Sequence, residues 1–114
     1  MTQELLDKQS RLDAFIDNNM KEDLSSKERL TNTILAAIVE ISELANEIRC
    51  FKHWSKKESS HKDILLEEYV DVLHFFLSIG NQLNFSAQDI INMYNKKYEI
   101  NILRQKENYW KEAT

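Results

Sequence analysis

The sequence predicts an all-α fold, a four-helix bundle-like domain, on three observations. The chain of 114 residues contains no proline and one glycine, Gly80, so it lacks the turn-formers that a β-protein needs at its reversals. Apolar residues recur at i, i+3, i+4 and i+7 through most of its length, the period of amphipathic helices. Capping boxes stand at Ser25–Glu28, Ser60–Asp63 and Ser86–Asp89, each just ahead of such a run, and mark three helix starts. No repeat, low-complexity stretch or composition break divides the chain, so residues 1–114 read as one domain.

A first helix is expected over 3–19, with Leu5, Leu6, Leu12, Phe15 and Ile16 as its apolar positions. Asn18, Asn19 and the stretch 21–24 read as a loop. The second helix starts at Ser25 and is expected to continue to about Trp54. At about 100° per residue, Ile34, Ile38, Ile41, Leu44, Ala45 and Ile48 share the side expected to face the core. Glu40, Glu43 and Glu47 fall within an arc of roughly 60°, flanked by Ala36, Val39, Cys50 and Phe51. The polar run SKKESSHKD follows as a loop. Ser60 then opens a third helix, which closes between Gly80 and Asn84, with Gly80 as the candidate left-handed cap. On it Glu68 and Asp71 are surface neighbours, with Ile64 and Phe75 projecting between them. The last helix is expected from Ala87 to about Tyr109.

Composition excludes several classes. Hydrophobic residues at 42 % and charged residues at 30 % fit a globular protein. A formal charge of −4 gives no basis for nonspecific nucleic-acid binding. Cys50 is the lone cysteine, so no internal disulfide can form, and a reducing, cytoplasmic setting is expected; it reads as a buried spectator. The N-terminal MTQELLDKQSRLD is charged throughout and is no signal peptide. The longest uncharged run, 72–88, includes His, Ser, Asn and Gln and is no membrane span. Four helices this short bury little core each, so an oligomer is expected, a homodimer or larger.

The chemistry lies in ExxE on the second helix and ExxD on the third. Carboxylates held among apolar neighbours raise one another's energy and call for a cation, a proton or water. Two antiparallel helices would gather Glu40, Glu43, Glu68 and Asp71, an oxygen-donor set suited to Mg²⁺ shared with substrate phosphates. Glu47 and Glu67 read either as further ligands or as rim charges. His74, one turn past Asp71, reads as a partner behind the ligands or as a core hydrogen-bonder. Lys97, Asn101 and Arg104 share one face of the last helix, as phosphate donors or as a solvated basic stripe.

VEISELANEIRCFKHW followed by LLEEYVDVLHFFLS resembles the all-α nucleoside triphosphate pyrophosphohydrolases, which include the MazG-type enzymes. KQSRLDAFI, NEIRCFKHWS and KKYEINILRQKENY, the last similar to KNxxNxxRQxxGY, look most like the dimeric dUTPases of Gram-positive bacteria and their phages. The resemblance implies a homodimeric hydrolase that converts dUTP to dUMP and diphosphate. It implies Mg²⁺ held by Glu40, Glu43, Glu68 and Asp71, with Glu43 or Glu40 as the base that activates water. It assigns Gln9 and Asp13 to the base pocket and Trp54 to an aromatic beside it. Lys97, Asn101, Arg104 and Tyr109 match positions that contact sugar and phosphates. The chain departs from the family pattern in two places. Several dozen residues usually found between the third helix and the C-terminal segment are missing, and the family's Gly-Tyr is Asn108-Tyr109. These departures support an alternative from another class: a helical dimer that binds a nucleotide or a protein without turnover.

Overall fold

The computed structural model describes residues 2–20 and 23–113, with side chains described through Asn108. Four helices follow one another: α1 (Gln3–Asn18), α2 (Ser26–Ile48), α3 (Lys62–Gln82) and α4 (Ala87–Ala113). No strand occurs among the described residues. The all-α reading is borne out.

Two of the three expected capping boxes form. Ser25 Oγ accepts from the Glu28 N–H at 3.2 Å and Glu28 answers to the Ser25 N–H at 3.4 Å. Ser86 Oγ accepts from the Asp89 N–H at 3.1 Å and Asp89 from the Ser86 N–H at 2.9 Å. The third does not form. Ser60 donates its N–H to the Glu47 carbonyl at 3.0 Å and its hydroxyl to the Glu47 carboxylate, so it is already engaged by α2. The N-cap of α3 is His61, without a side-chain cap.

The second helix stops at Ile48, well short of Trp54. Arg49 takes the left-handed conformation, φ 62°, and its N–H closes on the Ala45 carbonyl at 2.8 Å. The Arg49 guanidinium donates to the Lys57 carbonyl at 3.2 Å and the Ser55 hydroxyl at 2.9 Å, which ties down the loop that follows. Cys50 and Phe51 therefore lie on that loop and not on the acidic arc, and Cys50 is exposed, not buried. At the other boundary Gly80 stays helical and α3 runs on to Gln82. Asn84 takes the left-handed role, φ 62°, with the Phe85 N–H bonded to the Gly80 carbonyl at 2.9 Å.

α2 and α3 form an antiparallel hairpin with α1 laid against α3. The register is set at both ends: Ser60 meets Glu47, and Gln82 donates to Thr33 Oγ1 at 2.9 Å. That register puts Glu40 opposite the 68–71 turn. The core of the described chain is small: Leu6, Leu77 and Ala87, with Leu73 and Ile90 against them.

The expected core face of α2 is corrected. Ile34, Ile38, Ile41 and Ile48 are exposed, and only Leu44 and Ala45 of that row are half-buried. The buried position of α2 is instead Ala37, with Ala36 half-buried beside it and Thr33 bonded to Gln82 of α3. Leu5, Leu12, Phe15 and Ile16 of α1 are likewise exposed, leaving Leu6 as that helix's buried apolar anchor.

Candidate active site

Helix register delivers the acidic residues to one place. One carboxylate oxygen from each of Glu40, Glu68 and Asp71 lies within 4.8 Å of the other two. Glu40 and Glu68 are half-buried between the hairpin helices and Asp71 is exposed. Burial, then the charges of Glu43 and Asp71, push the Glu40 carboxyl above its ordinary value. Glu68 is pushed up by burial first and then by Asp71, Glu43, Glu40 and Glu47. Among the described residues no lysine or arginine pairs with any of them. Glu68 Oε2 is a buried oxygen without a hydrogen-bond partner. An unpaired buried acceptor is costly, so this atom is built for a donor or a cation that the chain does not supply.

Glu43 is close enough for its charge to be felt by Glu40 and Glu68, but it is exposed and outside the three-oxygen cluster. Glu47 is occupied with Ser60 and so holds the loop in place. Glu67 is exposed.

One turn from the carboxylates on both helices, a cavity of about 630 Å³ opens between α1, α2 and α3. Gln9, Asp13, His74, Phe75, Ser78 and Asn81 are among its lining residues. Gln9 is buried and held at both ends of its amide, with a further N–H left over. Its Oε1 lies 2.5 Å from His74 Nδ1, and its Nε2 donates to Asp13 at 2.9 Å. The two first-helix residues singled out from the sequence therefore stand side by side in a concave, mostly apolar site, as small-molecule pockets are built. His74 is the hydrogen-bonder that fixes Gln9, not a contact of the described carboxylates.

The structure adds Ser78, Asn81 and Gln82, which the sequence reading left out. Asn81 donates to the Leu6 carbonyl at 2.8 Å, and Gln82 to Ser78 at 3.2 Å. Their signal was present: polar residues repeat every three or four positions on a helix face that is otherwise apolar.

Other predicted residues stand apart. Trp54 is exposed on the α2–α3 loop, with edge contacts to His53 and Phe51, and does not line the cavity. Lys97, Asn101 and Arg104 are exposed on α4. The Tyr109 side chain lies outside the described residues.

A protein-family model described as dUTPase matches the chain over residues 1–87 and 76–109. The chain belongs to the dUTPase family. The match bears out the resemblance to the dimeric all-α dUTPases and makes the protein a dUTP diphosphatase-like hydrolase. It falls in two stretches that overlap over residues 76–87, at the end of α3 and the join to α4. No curated protein matches the chain. No described helix is long and apolar enough to cross a membrane.

Proposed function

We propose that this dUTPase-family chain hydrolyses dUTP to dUMP and diphosphate with Mg²⁺ held by Glu40, Glu68 and Asp71, Glu43 standing at the rim. One observation carries the reading: a buried, partnerless Glu68 oxygen in a three-carboxylate cluster, one turn from a nucleoside-sized cavity. The donor set fits a hard divalent ion, which favours carboxylate oxygens and keeps positions open for phosphate and water. Bound there, Mg²⁺ would neutralise phosphate charge and lower the pKa of water.

The chain's own residues supply the rest. Gln9, held by His74 and Asp13, presents a fixed amide to the base end of the cavity. Phe75 gives that cavity an aromatic wall. Glu43 is outside the cluster and exposed, so it is the carboxylate placed to take a proton from water, while Glu40 would help hold the ion. The exposed isoleucine row of α2 is covered by a second copy, which makes the protein a homodimer.

The test is incubation of the pure protein with Mg²⁺ and each nucleoside triphosphate in turn, scoring monophosphate and diphosphate. dUTP should be turned over fastest, and Glu43→Gln should lower the rate by at least about 100-fold, the usual size of a general-base effect. A folded protein that releases no diphosphate from any nucleotide would overturn the hydrolase reading and leave ligand binding without turnover.

A further inference from the structure

Glu47 is an acid of α2 that the cluster does not use, and it stands where a helix least favours a negative charge. It is the penultimate residue of α2, whose last turn carries no basic residue. The carbonyl end of a helix bears partial negative charge, so a carboxylate there needs a donor. No lysine or arginine pairs with it among the described residues. Its partners are serines from the far side of the α2–α3 loop. Ser60 donates its hydroxyl to the carboxylate and its N–H to the Glu47 carbonyl at 3.0 Å, and the Ser59 hydroxyl reaches the same carbonyl at 3.5 Å. Side chain and backbone of Glu47 are thus both held, the carbonyl being one that a helix end leaves without an internal partner.

This crosslink sets α3 against α2. The loop turns under the Arg49 guanidinium, which holds Ser55 and the Lys57 carbonyl, and Ser60 ties it to α2 two residues before α3 begins at Lys62. Glu40 lies seven residues back along α2 from Glu47, and Glu68 eight residues on from Ser60, with Asp71 one turn further. In an antiparallel pair, near-equal steps away from a crosslink arrive opposite each other, here after about 10 Å of helix. There the oxygens of Glu40, Glu68 and Asp71 come within 4.8 Å of one another. A slip of one residue turns a side chain by about 100° and carries it about 1.5 Å along the axis. That would aim Glu68, with its buried unpartnered oxygen, away from Glu40. The other crosslink, Gln82 to Thr33, is fourteen residues of α3 from Glu68, so Ser60 is the nearer control.

Glu47 is close enough for its charge to be felt at Glu68, yet it lies outside the three-oxygen cluster. Such a residue serves either as a further ligand or as a post behind the ligands. Ser60 favours the post, because its hydroxyl occupies the carboxylate and the pairing fixes α3.

We propose that Glu47 and Ser60 are positioning residues of the metal site: Glu47 is no ligand, and the pair sets α3 so that Glu68 and Asp71 meet Glu40 around one ion. This rests on the reading above that the cluster holds Mg²⁺.

Mn²⁺, a paramagnetic ion suited by the same oxygen donors, provides the test. It is titrated into the pure protein and read by electron paramagnetic resonance, well below the melting temperature of every variant. Ser60→Ala should weaken Mn²⁺ binding by about 10-fold or more, the usual effect of removing a partner behind a metal ligand. Ser60→Thr keeps the hydroxyl and should bind as wild type. Glu47→Ala should match Ser60→Ala. Glu47→Gln brings no charge to an ion but still offers Ser60 an acceptor oxygen, and should stay close to wild type. Ser60→Ala binding Mn²⁺ as tightly as wild type overturns the proposal. So does Glu47→Gln losing the ion as fully as Glu47→Ala, which makes Glu47 a ligand. Either result leaves the carboxylate cluster standing. A folded wild type without a Mn²⁺ site overturns the metal reading itself, and the proposal with it.

Discussion

Glu68 shows how a site can be read from a single side chain. In the sequence it is an acid in an apolar arc, and in the structure one of its oxygens is buried without a partner. Glu40 and Asp71 were legible for the same reason, because charged residues beside apolar ones on one helix face require an explanation. Glu43 was read from the same acidic arc of α2 and stands exposed at the edge of the cluster, whereas Trp54, assigned by resemblance alone, does not line the cavity. The repulsion has a measurable sign. Glu40 and Glu68 titrate above the ordinary carboxylate value when folded, so the folded state binds protons more readily than the unfolded chain. Their contribution to stability is greatest at low pH and is lost as pH rises from the ordinary value of 4.5 through the raised ones. The metal-free protein should therefore melt higher near pH 5 than at pH 7. Glu68→Gln should raise the melting temperature at pH 7 and flatten that dependence. Added Mg²⁺ should stabilise wild type, by about 2.7 kcal/mol at a hundredfold excess over Kd, and should lose most of that effect on Glu68→Gln. Thermal melts of both proteins at two pH values, with and without Mg²⁺, check all of this, and equal Mg²⁺ shifts in the two would remove Glu68 from the metal site.

Helix boundaries were legible where local chemistry decides them and not where a distant partner does. The boxes at Ser25 and Ser86 involve residues three apart, which any sequence displays. Ser60 has the same local pattern but is captured by Glu47, thirteen positions back, and no local rule sees that competition. Arg49 likewise ends α2 through bonds to Ser55 and Lys57 in a loop whose path the sequence does not reveal. Gly80 illustrates the opposite error. Glycine near a helix end suggests a left-handed cap, yet it lies inside α3 beside Leu6, and Asn84 supplies the positive φ. A Cβ built at Gly80 meets Leu6 Cδ2 at 3.7 Å, an ordinary contact. Gly80→Ala should thus stabilise the protein by about 0.5–1 kcal/mol, since alanine loses less backbone entropy in a helix. Urea unfolding would register this as a higher midpoint at unchanged slope. A lower midpoint would mean that α1 and α3 approach more closely than the 3.7 Å contact allows.

At the scale of the molecule, the helical period revealed which faces are apolar but not what covers them. Ile34, Ile38, Ile41 and Ile48 satisfy the pattern of a core stripe, yet they are 42, 54, 44 and 38 % exposed. Amphipathicity fixes the direction of an apolar stripe, and the occupant opposite is a tertiary or quaternary fact. The radius of gyration points the same way: 18.5 Å, against about 13 Å for a compact chain of this length. So small a core, with apolar stripes left on α2 and α4, cannot offset the conformational entropy of ordering four helices unless further surface is buried. The homodimer proposed above would account for the elongation, the bare stripe and the exposed length of α4 together. Ile38 lies mid-stripe, where a charge would be desolvated by dimerisation and costs nothing in a lone chain already open to water there. Ile38→Asp should therefore shift sedimentation from dimer to monomer, with the melting temperature falling and becoming independent of protein concentration, whereas wild type should melt higher as it is concentrated. The same change placed on a free monomer's surface would leave both observables where they were, because an exposed isoleucine contributes little to a chain that never covers it.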